Sequence, residues 1–172
     1  MKKRTSLLVA LLACVLAPAV AKVELPSVIG SHMVLQRNAD VNLWGKATPG
    51  KKVTIKASWS KEKFIARVDE DGKWATTIPT TDAGGPYTLT FDDGEKTELT
   101  DILLGEVWVC GGQSNMEMPM RGFYNCPVEN ALEYICAPAA TEKIRMFTVP
   151  IKQSYEPLTE VESEWKGAEA ET

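Results

Sequence analysis

The chain has 172 residues, 19 Lys and Arg against 23 Asp and Glu, and a net charge of -4. Apolar residues make up 44% and charged residues 24%, a balance that excludes wholesale disorder, collagen and coiled coil and allows one or two globular domains. Without a basic excess, binding to nucleic acid has no electrostatic support.

The first residues carry a targeting pattern. Lys2, Lys3 and Arg4 form a basic start, residues 7–16 are an apolar run, and Ala19-Val20-Ala21 is an A-x-A cleavage signal behind Pro18. This is the layout of a secretory signal peptide over residues 1–21, and it predicts an exported product, periplasmic or extracellular. The run is too short to span a bilayer, which needs about 20 apolar residues, so no membrane span is expected. Leu11-Leu12-Ala13-Cys14 also resembles a lipobox, which would lipidate Cys14. The apolar residues that follow Cys14, where a lipoprotein wants a polar tether, favour ordinary cleavage.

Residues 22–100 read as short β-strands. Val53, Ile55, Ala57 and Trp59 alternate onto one face, as do Tyr87, Leu89 and Phe91, and Val41 with Leu43, leaving Trp44 on the opposite side. Turn signals recur at Pro49-Gly50, Asp71-Gly72, Gly84-Gly85-Pro86 and Asp93-Gly94. Residues 64–68 and 74–78 flank Asp71-Gly72 and are expected to pair as a hairpin. About seven short strands at this spacing predict a β-sandwich, immunoglobulin-like or jelly-roll-like.

From Asp101 the pattern changes. Residues 102–110 form a long apolar run that suits a buried strand of a parallel α/β sheet, and Cys110 reads as a small buried hydrophobe at its end. Val128, Ala131, Leu132, Ile135 and Cys136 fall at helical spacing before Pro138, and residues 144–149 read as a second strand. Strand, helix and strand predict one βαβ unit over residues 101–172, the start of a flavodoxin-like domain. The tail is acidic, and Trp165 is its one residue that wants burial.

The sharpest chemical feature is Gly111-Gly112-Gln113-Ser114-Asn115. Two glycines after a strand let the backbone turn tightly and project the Ser114 hydroxyl at a sheet edge. Free N–H groups at the start of a following helix could stabilise an oxyanion. The same residues also suit a plain strand-to-helix turn with Ser114 or Asn115 as the cap. Gln113 and Asn115 could contact a sugar or make turn hydrogen bonds. Glu117 could position substrate or pair with Arg121. Met116, Met118 and Met120 suit a pocket lining or core filling. Trp44, Trp59 and Trp74 suit packing or, if exposed in a row, sugar stacking. The single histidine, His32, and the absence of any C-x-x-C pair give no metal pattern. Cys126 and Cys136 are close enough in sequence to close a small loop.

Residues 107–120, Val-Trp-Val-Cys-Gly-Gly-Gln-Ser-Asn-Met-Glu-Met-Pro-Met, resemble the nucleophile block of sialate O-acetylesterases and their relatives among the SGNH (GDSL-like) hydrolases. Residues 25–37, Leu-Pro-Ser-Val-Ile-Gly-Ser-His-Met-Val-Leu-Gln-Arg, resemble the opening of that family's β-domain, and residues 84–87 and 144–150 follow in the expected order. Gly111-Gly112 stands where many relatives have Ser-Gly before the glutamine. The resemblance implies a β-domain followed by the N-terminal part of an SGNH hydrolase domain, with Ser114 as nucleophile and its backbone N–H as an oxyanion donor. It implies an O-acetylated sugar as substrate, sialic acid or a related glycan, with no metal or organic cofactor. It places the partner Asp and His in a D-x-x-H block, which these 172 residues do not contain. The expectation is therefore a catalytic fragment that is inactive alone or served by a complementing chain supplying Asp and His, or else a non-catalytic binding or interaction module. His32 is expected to be structural.

Overall fold

A computed structural model describes residues 22–136 and 143–168. The expected leader, with Cys14, and the expected helix end at Ala137 lie outside them. Seven strands lead the chain: β1 (Val34–Gln36), β2 (Asp40–Lys46), β3 (Lys52–Ala57), β4 (Lys63–Arg67), β5 (Lys73–Pro79), β6 (Gly84–Asp92) and β7 (Lys96–Gly105). β1, β7, β6, β3 and β4 hydrogen-bond in that order into one sheet. It is mixed, because β1 runs parallel to β7 while the other pairs are antiparallel. β2 and β5 form a separate antiparallel ribbon.

Alternation decides which faces meet. Val53, Ile55 and Ala57 of β3, Ala66 of β4, Leu89 and Phe91 of β6, and Ile102 of β7 are buried from the sheet. Leu43, Trp74 and Ile78 enter the same core from the ribbon, with Val23, Ile29 and Met33 from the chain before β1. The Trp74 and Phe91 rings lie 5.8 Å apart, a tilted contact across the core. Trp59 packs edge-on to Tyr87 at 5.5 Å, and its indole N–H donates to the Pro79 carbonyl at 3.1 Å.

This architecture corrects the expected fold. Instead of an immunoglobulin-like or jelly-roll-like β-sandwich leading into an α/β parallel sheet, the strands make one curled mixed sheet, a half-barrel, faced by the ribbon. The expected hairpin of residues 64–68 with 74–78 does not form. β4 joins β3 and β5 joins β2, because Ala66 and Val68 on one side and Trp74 and Ile78 on the other all need the core. The Asp71-Gly72 turn is present, with Gly72 at φ 78, but it carries the chain from sheet to ribbon.

The apolar run from residue 102 is also two things. Up to Gly105 it is the end of β7, with Ile102 and Leu104 buried and Leu103 half-buried. Between the Leu89–Leu99 and Tyr87–Ile102 pairs, β7 carries an extra residue, and Asp101 sits there at φ 55. This bulge resets the alternation. Beyond Gly105 the run has no strand partner among the described residues, and Trp108 and Val109 are 83% and 97% exposed. Cys110, expected to be buried, is exposed with a free thiol, as are Cys126 and Cys136.

No parallel βαβ unit appears among the described residues. β8 (Gly122–Phe123) pairs with β9 (Cys126–Pro127), and the one α-helix among the described residues, α1 (Ala131–Ile135), is five residues long with Leu132 exposed. β10 (Arg145–Phe147) pairs antiparallel with β11 (Trp165–Gly167). Trp165 is part-buried: its ring lies 5.5 Å from Phe147, and its indole N–H donates to the Val28 carbonyl at 2.8 Å.

Candidate functional site

Gly111 and Gly112 lead into a single 3-10 turn, Ser114–Met116, with Gln113 as its N-cap and Glu117 as its C-cap. Met116 N–H donates to the Gln113 carbonyl at 2.9 Å, and Glu117 N–H to the Ser114 carbonyl at 3.1 Å. A Cβ on Gly112 would sit 3.4 Å from Met116 Cγ, so the second glycine lets the methionine fold over the turn. Gln113, Ser114, Asn115 and Glu117 are thereby gathered on one turn, all exposed. The two opening N–H groups of such a turn have no partner inside it. Ser114 Oγ makes no hydrogen bond to the described residues, and Glu117 makes no ion pair with Arg121 among them.

The segment that carries this turn is tied at both ends to the β1–β7 pair. At its exit from β7, Gln36 Nε2 donates to Glu106 Oε2 at 2.9 Å, and Arg37 Nε donates to Glu106 Oε1 at 2.8 Å. The Gln36 side-chain oxygen, Oε1, accepts from Val107 N–H at 2.9 Å. The hydrogen bond from Gln36, then the bond and charge of Arg37, hold the Glu106 carboxyl below its ordinary range. At its return, Asp101 Oδ2 takes Arg145 Nη2 at 3.1 Å and His32 Nδ1 at 2.8 Å. The His32 hydrogen bond, and after it the Arg145 contact, lower the Asp101 carboxyl. Five residues of strand separate Asp101 from Glu106, so the two ties lie about 16 Å apart.

His32 thus holds Asp101 rather than Ser114, and no described contact joins it to the serine turn. Both ties escaped sequence reading, since each depends on a parallel strand pairing between segments some seventy positions apart. Among the described residues no group of three His, Cys, Asp or Glu side chains is arranged to hold a metal ion. No helix among them is long and apolar enough to cross a membrane.

Set beside solved structures, this β-rich scaffold is similar to part of a carbohydrate acetylesterase. A crystal structure of one, from Xanthomonas citri, superposes with a TM-score of 0.77 at 29% identity, covering 87% of this chain and 33% of that one. Curated relatives make the family more particular. Sialate O-acetylesterases of Mus musculus and Homo sapiens are 31% and 32% identical over 152 residues, 81% of this chain but 27% and 28% of their own lengths. The chain is a homologue of the sialate O-acetylesterases over a little more than a quarter of their length. No family model matches it.

Proposed function

We propose that this chain supplies the nucleophile-bearing part of a carbohydrate O-acetylesterase, with residues 22–100 as scaffold and the segment from residue 101 onward carrying Ser114. The observation that supports this most is the Ser114 hydroxyl, exposed on a glycine-led turn whose opening N–H groups face no internal acceptor. In the reaction, Ser114 Oγ attacks the acetyl carbonyl, and the oxyanion is stabilised by the Ser114 N–H. The sugar oxygen departs with a proton, and water then hydrolyses the acetyl-serine to acetate. The substrate is an O-acetylated sugar, sialic acid foremost.

A serine hydroxyl needs a base, and the one histidine of the sequence is engaged with Asp101. We infer that this chain alone acylates slowly and turns over poorly, and that a polypeptide contributing an Asp–His pair restores turnover. p-Nitrophenyl acetate tests this. One equivalent or less of p-nitrophenol should appear from the wild type and none above background from Ser114→Ala. Equal release from both proteins removes Ser114 as nucleophile.

A second reading has its own observation: the buried core draws almost wholly on residues 23–104, while Trp108, Val109, Tyr124 and Tyr155 stand exposed. On that reading the chain is an interaction module whose exposed apolar residues are covered by a partner. Retention of ligand or partner binding without any Ser114-dependent chemistry distinguishes it.

A further inference from the structure

The outward face of the β2–β5 ribbon has a composition that its role as a core cover does not require. Strand alternation puts Asp40, Asn42, Trp44 and Lys46 outward from β2, and Lys73, Ala75, Thr77 and Pro79 outward from β5. Trp44 is 43% exposed, whereas Trp74 on the inward face of the same ribbon is buried. Directly across from Trp44 stands Ala75, the smallest side chain of the set, which leaves the indole beside an open, shallow hollow. On one side of it, Thr77 Oγ1 donates to Asn42 Oδ1 at 2.8 Å, so a polar pair is held in place two residues, about 7 Å, from the ring. On the other side, Lys46 and Lys73 are exactly cross-strand partners, both exposed.

Two like charges facing each other across a strand pair are destabilising. Glu24 pairs with Lys46 from the other edge of β2, but neither lysine forms an ion pair among the described residues. The face therefore offers a fixed hydrogen-bonding pair, an aromatic platform and a cross-strand pair of lysines with Glu24 beside it, in that order along about four residues of strand.

We propose that this face is a second carbohydrate site, separate from the Ser114 turn, that binds a saccharide carrying a carboxylate. The apolar C–H face of a pyranose lies on the Trp44 indole, its hydroxyls meet Asn42 and Thr77, and the carboxylate sits between Lys46 and Lys73. The choice of a sugar over another anion rests on the carbohydrate reading above. The binding itself does not depend on Ser114, and the two can fail separately. Such a site would hold an acidic glycan against the scaffold while its acetyl group is presented elsewhere.

The test is a titration of the full chain with sialyllactose and with lactose, followed through the indole N–H signals in nitrogen-15 NMR spectra. The Trp44 signal is assigned by its loss in Trp44→Phe. Sialyllactose in the millimolar range should shift that signal saturably, and Trp44→Ala should abolish binding. A double Lys46→Gln, Lys73→Gln variant should weaken sialyllactose about five-fold, the effect of roughly 1 kcal/mol of exposed charge pairing, and leave lactose unchanged. Ser114→Ala should bind as the wild type does. Unaltered binding in Trp44→Ala, a saturable shift confined to another indole, no saturable shift at all, or equal affinity for the two sugars would each overturn the proposal.

Discussion

Asp101→Asn isolates the tie that returns the serine-bearing segment to the scaffold. Asp101 lies at φ 55, a left-handed conformation that asparagine also tolerates, so this substitution removes charge without straining the backbone. What is lost is one carboxylate oxygen accepting from His32 at 2.8 Å and Arg145 at 3.1 Å. Hydrogen bonds to a charged group are worth about 1.5–3 kcal/mol each when shielded. Here the His32 side chain is 55% exposed and that of Asp101 31%, so solvent screening brings the pair down to about 1–2 kcal/mol in total. Asp101→Ala should cost roughly 1 kcal/mol more, because alanine pays for the left-handed backbone as well. Urea unfolding followed by tryptophan fluorescence reads both values. Amide exchange in β10 and β11 should rise in the variants, since Arg145 leads that hairpin. The pH dependence has a fixed sign. The folded Asp101 carboxyl lies below its ordinary value, so its contribution is complete above the unfolded value, near ~3.9, and disappears as pH falls through the lower folded one. Equal stability of wild type and Asp101→Asn near neutral pH would refute this reasoning. So would a difference that persists unchanged in strong acid.

Other outcomes follow from the same structure. Phe91→Ala empties a fully buried site against Trp74 and should cost about 3–5 kcal/mol in the same urea assay. Gly72→Ala places a Cβ at φ 78 and 3.1 Å from the Ala47 carbonyl, and should lower stability by about 1–2 kcal/mol without altering spectra of the folded state. Gln36→Ala removes the acceptor of Val107 N–H, so exchange of that amide should quicken while amides of β3 and β6 stay protected.

The core was largely legible in the sequence, because alternation marks a face wherever a strand has one dry side. Val53, Ile55, Ala57, Leu89, Phe91 and Leu43 are buried as their spacing predicts, and Trp44 faces outward. Trp165, the one residue of the acidic tail expected to want burial, is partly buried against the core. Pairing was not legible. The Asp71-Gly72 turn announces a reversal but not that the strands on its two sides belong to different sheets. Nor does an apolar stretch name its partners. Residues 102–105 are buried or half-buried in a sheet edge completed by β1, whereas residues 107–110, equally apolar, pass the end of that edge and stand exposed. The serine turn was found by residue type. Its supports, Gln36, Arg37, Glu106, Asp101 and Arg145, are ordinary polar residues that acquire meaning only once β1 lies beside β7.

The central claim is that Ser114 is the atom that accepts the acetyl group, and peptide mapping by mass spectrometry tests it most directly. The chain is incubated with p-nitrophenyl acetate or an O-acetylated sialic acid, quenched in acid and digested. The account predicts one acetyl group on Ser114 ahead of every other serine, and none there in a control treated with acetate alone. Acetylation spread over surface lysines with Ser114 unmodified would contradict it.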